Sequence, residues 1–261
     1  MARADRPGCR IHWEQVGVGT PVLLVMGAVY SSRLWYPTVP ALRRRHTVLT
    51  FDNRGTGRSS ATPEASIADM AGDALAVLDA AGLPSAHVYG VSLGGVVALE
   101  LAVQAPRRVR SLVLGCTGIL SVDKPRAPEA NNDFLRRVPR RQLVAGTLYG
   151  SVCPPENAAT HRAVLAGDRA RRAALVAQQD ALRAHDADPA TIAALTMPAL
   201  VLHGTEDPIV PLQWGRELAE TLPNSELVVY EGAGHNYLAE LIGPANDDVL
   251  AFLGRVDQEG G

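Results

Sequence analysis

The chain has 261 residues, 47% of them hydrophobic, and a formal net charge of −2. That length fits one large α/β domain with an insertion, and the composition excludes a disordered chain. The near-neutral charge gives no electrostatic case for nucleic acid or an anionic membrane as a partner.

In chain order, Arg10 to Val16 reads as an edge strand ending at the Gly17-Val18-Gly19 turn. Pro21 to Met26 is a continuous apolar run, the pattern of a strand buried on both faces. A polar-aromatic loop follows Gly27-Ala28, then a helix is predicted from about Trp35 to Arg45. His46 to Phe51 is the next strand, and it stops at the turn-rich Asp52-Asn53-Arg54-Gly55-Thr56-Gly57-Arg58-Ser59. This loop lacks the third glycine of a dinucleotide fingerprint and opens no helix, so it reads as a structural turn. Ser66 to Ala81 reads as a helix with a capping-box variant from Ser66 and Asp69, ended by Gly82 and Pro84. A strand over Ala86 to Tyr89, a helix over Val96 to Ala105 and a strand over Val109 to Leu114 complete the first half. Such alternation predicts βαβ units, and hence a mostly parallel central sheet covered by helices on both faces.

From about Thr117 to Thr196 strand-type runs vanish. Helical patterns appear near Asn132–Val138, Arg140–Leu148, Glu156–Ala166 and Arg169–Ala184, punctuated by prolines. Residues 119–196 are therefore expected to form a helical cap, with 1–118 and 197–261 as the core. Strand logic resumes at Pro198 to His203 and Glu226 to Tyr230, with helices near Leu212–Leu222 and Asn246–Gly254. Cys9, Cys116 and Cys153 form no CxxC, so neither a disulfide framework nor a metal site is expected. Met1 to Arg10 lacks the apolar segment of a secretory signal, and no apolar run reaches the ~18 residues of a membrane span. A cytoplasmic protein without a membrane partner is the expectation, and the sequence carries no signal for an oligomeric state. The arginine pairs and triplet at 43–45, 140–141 and 171–172 read as solvated faces.

The chemistry gathers around Tyr89-Gly90-Val91-Ser92-Leu93-Gly94-Gly95. It lies between a strand and a helix, the context in which a G-x-S-x-G turn exposes a nucleophilic serine. A serine hydroxyl needs a neighbouring base, and the base needs an orienting carboxylate. Both should follow the serine, in loops leaving strand carboxyl ends. One such loop is Leu202-His203-Gly204-Thr205-Glu206-Asp207-Pro208, the other Glu231-Gly232-Ala233-Gly234-His235-Asn236. They offer Asp207 or Glu206 as the acid and His235 or His203 as the base. His203, inside a strand end, reads as buried structure.

These stretches together resemble the α/β-hydrolase fold superfamily over nearly the whole chain. The D-N-R-G-T-G-R-S loop and the G-V-S-L-G-G turn are similar to its enol-lactonase and small-esterase branches. The resemblance implies a cap inserted after the sixth strand of the family, Ser92 as nucleophile, His235 as base and then acid, and Asp207 as its orienter. It also implies an oxyanion hole from the backbone N–H groups of Ala28 and Leu93. Three departures stand out. Met26 occupies the place where the family usually has histidine before the oxyanion-loop glycine, so that loop must be anchored differently. The first antiparallel strand pair looks shortened to one strand. Val91, rather than histidine, precedes the serine.

A serine nucleophile points to an acyl carbon as electrophile. The predicted activity is cofactor-independent hydrolysis of an ester, lactone or thioester of a small organic substrate, with an acyltransferase, cyclase or lyase on the same pocket as the alternative. Tyr30, Trp35, Tyr149, Asn236 and Tyr237 are candidate pocket residues, joined by Phe134, Leu135, Leu143 and Leu148. Cys116 and Cys153 read as plain core or cap residues.

Overall fold

A computed structural model describes residues 2–60, 65–121, 148–168 and 172–259. Their strands form one eight-stranded sheet: β1 (Ala2–Arg6), β2 (Cys9–Val16), β3 (Thr20–Val25), β4 (His46–Phe51), β5 (Ala86–Val91), β6 (Val109–Gly115), β7 (Ala199–Gly204) and β8 (Ser225–Tyr230). The order is β1-β2-β4-β3-β5-β6-β7-β8. β2 pairs antiparallel with β1 and β4, and every other pairing is parallel. The fold class expected from the sequence is the one observed.

The first strand pair is complete, which corrects the expectation of a single strand. Polar Ala2–Arg6 has no apolar rhythm and buries only Ala4, so sequence periodicity could not reveal it. Gly8, at φ +68°, makes the tight turn into β2.

The predicted helix from Trp35 to Arg45 is instead a 3₁₀ turn, Ser32–Trp35, followed by the short α1 (Val39–Leu42). Pro37 and Pro40 remove backbone donors that a longer helix would need. α2 (Ile67–Ala80) carries the capping box: Ser66 Oγ accepts from Asp69 N–H at 3.0 Å, and Asp69 Oδ2 accepts from Ser66 N–H at 3.1 Å. α3 (Leu93–Gln104) begins on the residue after Ser92.

Between β6 and β7 the described residues contain no strand. They form α4 (Pro155–Gly167), α5 (Arg172–Ala184) and the short α6 (Pro189–Ala193), capped by Asp188. The helices predicted over Asn132–Val138 and Arg140–Leu148, and the pocket candidates Phe134, Leu135 and Leu143, lie outside the described residues except for Leu148.

After β7 come α7 (Leu212–Thr221), α8 (Tyr237–Glu240) and α9 (Ile242–Glu259). α9 starts earlier than predicted. Gly243 and Pro244 look like breakers, but they fall in the first turn, where a proline costs no hydrogen bond. Among the described residues no helix is long and apolar enough to cross a membrane.

Two cores sandwich the sheet. Leu23, Val25, Leu112 and Leu114 pack on one face with Met70 and Leu78 of α2, and Val97 and Leu101 of α3. The alternate positions Val22, Leu24 and Val113 pack on the other face with Leu42, Val249 and Phe252. All six residues of β5 and of β7 are buried. Both faces are covered, so these strands read as unbroken apolar runs, and their carboxyl ends are left to carry polar chemistry.

Candidate active site

Ser92 sits between β5 and α3 at φ 54°, ψ −122°. Positive φ is unfavourable for a residue with a Cβ, and its neighbours impose it. The Ser92 N–H donates to Gly115 C=O at 2.8 Å, and Ser92 C=O accepts from Gly95 N–H and from Thr117 Oγ1, both at 2.9 Å. A Cβ at Gly94 would overlap the Val25 carbonyl oxygen, and one at Gly90 would overlap that of Gly94. Glycine at these two positions lets strand, turn and helix close on one another. Leu93 is the first residue of α3, so its N–H has no acceptor within the helix and lies beside the serine.

Asp207 and His235 meet. Asp207 follows β7 and its carboxylate is fully buried. Oδ1 accepts from the N–H groups of Ile209 and Val210 at 2.8 and 2.9 Å, and Oδ2 is 2.7 Å from His235 Nδ1. A carboxylate only accepts, so a neutral His235 carries its proton on Nδ1 and leaves Nε2 as a base. Glu206, the competing acid, is exposed and turns away to Ser151, accepting from its N–H at 2.7 Å and its hydroxyl at 2.8 Å. His203 is fully buried beneath Asp207. Its Nε2 donates to Val210 C=O at 2.9 Å, and burial holds its pKa below the usual histidine range.

Ser92 and His235 line one cavity, of about 710 Å³ with its open mouth included, together with Ala28, Tyr30 and Asn236. Two predicted pocket residues do not reach it. Trp35 is fully buried against Tyr89, ring centroids 4.8 Å apart. Tyr237 is fully buried, bonded through its hydroxyl to that of Tyr89 at 2.8 Å and stacked on Tyr230. Each is a large ring next to a site loop in sequence whose side chain enters the core on the far side of the backbone. Tyr149 stands behind the wall: its hydroxyl is 2.9 Å from His161 Nδ1.

His161 itself lines the cavity, and sequence reading missed it. Nothing in α4 distinguishes it from a solvated histidine. Burial lowers its pKa to about 4, so it is a neutral imidazole at physiological pH. Cys116, read from sequence as plain core, also lines the cavity, at φ 42°. One ligand atom each from Cys116, Asp207 and His235 lie within 4.8 Å of one another. The set fits a metal poorly. Asp207 and His235 already bond each other, and burial beside Asp207 pushes the Cys116 thiol well above its ordinary range.

Three further polar groups support the loops. Asn53 Nδ2 donates to Met26 C=O at 2.8 Å, which ties the turn after β3 to the loop after β4. Ser31 N–H donates to Asp168 at 2.8 Å. Buried Glu240 accepts from Gly234 N–H at 3.0 Å and Gly150 N–H at 2.9 Å, bracing the backbone next to His235, and burial raises its carboxyl pKa.

Comparison with known proteins identifies the fold family. The family model for the α/β hydrolase fold matches residues 20–240. A protein of Azorhizobium caulinodans named "Putative carbamate hydrolase RutD" is 33% identical over 266 residues, covering 95% of this chain and 96% of its own. A thermophilic esterase from Thermogutta terrifontis superposes with a TM-score of 0.84 at 26% identity, covering 98% of each chain. The enol-lactonase from Burkholderia xenovorans LB400 shares the fold, with a TM-score of 0.83 at 24% identity, over 97% of this chain and 100% of that one. This chain belongs to the α/β-hydrolase fold family, and it is a hydrolase.

Proposed function

We propose that the protein cleaves an ester, lactone or thioester of a small organic substrate through a Ser92-His235-Asp207 triad and an acyl-enzyme. The observation that carries this reading is the 2.7 Å bond between Asp207 and His235, with His235 sharing its cavity with a serine held at positive φ. Ser92 Oγ attacks the carbonyl carbon while His235 Nε2 takes the hydroxyl proton. The N–H groups of Leu93 and Ala28 receive the oxyanion. The tetrahedral intermediate collapses as His235 returns the proton to the leaving alcohol or thiol. Water then repeats the sequence and releases the acid. Asp207 keeps Nδ1 protonated and stabilises the imidazolium that forms. In this reading residues 119–196 are a cap over the core and exclude water from the reacting atoms.

The described cavity lining carries no lysine, arginine, aspartate or glutamate side chain. His161 and its neighbours present a neutral wall, which supports an uncharged acyl substrate. A carbamate presents the same electrophile, a carbonyl carbon bearing a heteroatom leaving group. The name of the Azorhizobium relative puts carbamates into the substrate class to be tested.

A fluorophosphonate probe should label the wild-type protein at Ser92, and p-nitrophenyl esters should be turned over. Ser92→Ala should lose labelling, and its turnover should fall by roughly 10⁶-fold. Labelling that persists in the variant overturns the assignment. Oxygen-18 from water entering the released acid separates hydrolysis from acyl transfer.

A further inference from the structure

We infer that Gln178 is a positioning residue that couples the cap to the oxyanion loop, so that the donor on Ala28 is set by a helix outside the sheet. This rests on the reading of Ser92 as nucleophile. Gln178 lies on α5 and is fully buried. Its Oε1 accepts from Val29 N–H at 2.7 Å, and its Nε2 donates to Arg54 C=O at 3.2 Å.

Val29 follows Ala28 and sits at φ 68°, a conformation that a β-branched residue holds only under constraint. The Val29 N–H belongs to the peptide unit that begins at the Ala28 carbonyl. Fixing it fixes the orientation of the turn on which the Ala28 N–H is carried. The amide also occupies Val29 N–H, leaving Ala28 as the donor free to meet an oxyanion. The same turn approaches the nucleophile closely: a Cβ built on Gly27 would stand 3.4 Å from Ser92 Cβ.

The second arm ends on a rigid partner. The guanidinium of Arg54 forms two 2.7 Å bonds to Asp73. Ala174, one helical turn before Gln178, packs onto Gly55. Gln178 is therefore a strut between a fixed loop and a strained one. Displacing α5 removes the only acceptor that the described residues provide for Val29 N–H.

The test compares wild type, Gln178→Met and Gln178→Glu. Met keeps the volume and removes both polar atoms, whereas Glu keeps an oxygen facing Val29. The readouts are kcat and KM on a p-nitrophenyl ester, and affinity for an arylboronic acid, whose tetrahedral adduct fills the oxyanion hole. Gln178→Met should lower kcat and boronate affinity together, by on the order of 10- to 10²-fold, with KM little changed. Gln178→Glu should recover much of both. Wild-type values in the Met variant overturn the inference, as does a Glu variant that recovers neither.

If the Met variant does not fold, amide exchange in the wild type decides: a Val29 N–H that exchanges as fast as an open loop overturns the strut, and a protected one supports it. A wild-type protein that binds neither boronate nor fluorophosphonate sinks the nucleophile assignment instead, and is distinguished from failure of the strut by that result alone.

Discussion

The turn carrying Ser92 and the turn carrying Ala28 touch, yet they are held in opposite ways. The serine turn is held by its own strand, helix and glycines and by the strand ends on either side. Its strand, helix and flanking glycines lie within a dozen residues, and its backbone bonds run to the adjoining strand end. The Ala28 turn draws its ties from segments farther along the chain. It is tied by Asn53 from the loop after β4, by Asp168 beyond α4, and by Gln178 on α5. In the proposed mechanism the Ser92 hydroxyl must keep a strained geometry through every turnover, and a turn packed against the ends of rigid strands gives that at small entropic cost. The Ala28 N–H in that mechanism takes part in no covalent step and needs only a fixed orientation, which ties from distant segments can supply.

The comparison can be broken most severely at the acid. Asp207→Asn keeps the shape but places an amide where His235 needs an acceptor that fixes its tautomer, so kcat should fall about 10⁴-fold while KM stays close to wild type. Stopped-flow or steady-state kinetics checks this. Glu206→Gln, altering an exposed carboxylate beside it, should leave kcat unchanged, and an equal loss there would mean the acid has been assigned to the wrong residue.

The next largest effect is expected at the oxyanion loop. Asn53→Ala leaves the Met26 carbonyl buried and unpaired. Because a displacement near 1 Å can cost 10²-fold, kcat should drop by roughly 10- to 10²-fold, with the fluorophosphonate labelling rate falling in parallel. An unchanged labelling rate would mean that the loop is held without Asn53, and the contrast between the two turns would lose one of its three supports.

The remaining effect is on stability rather than on rate, and it concerns pH. His161 has its folded pKa lowered to about 4, against 6.5 ordinarily. Between those values the unfolded chain binds the proton and the folded chain does not. This contribution is therefore fully present above pH 6.5 and is lost as pH falls toward 4, amounting to about 3 kcal/mol in all. His161→Gln should flatten the fall in urea-derived stability over that window relative to wild type. A difference between the two proteins that does not change with pH would show that His161 titrates normally.

Legibility followed sequence distance. The D-N-R-G-T-G-R-S loop was legible as a turn because Gly55 and Gly57 punctuate it, and both sit at positive φ. Its tie to the Ala28 turn through Asn53 was not, since the partner is a backbone carbonyl, which has no sequence signature. The short β1 escaped because a polar edge strand buries one side chain and leaves no periodicity. Trp35 and Tyr237 were placed by proximity along the chain to site loops, but an apolar ring follows the larger burial, and in both cases that lay in the core.

The sequence alone determined the parallel sheet and its covered faces, the strained turn at Ser92, and the two loops that supply Asp207 and His235. Each of these is written in periodicity, glycine spacing and chain order, which act over a few residues. Only the tertiary structure decided that Asp207 rather than Glu206 bonds His235, that His161 and Cys116 wall the cavity, and that Gln178 reaches Val29. Those are contacts between segments far apart in the chain, and burial and directional hydrogen bonding select them only once the sheet has brought the segments together.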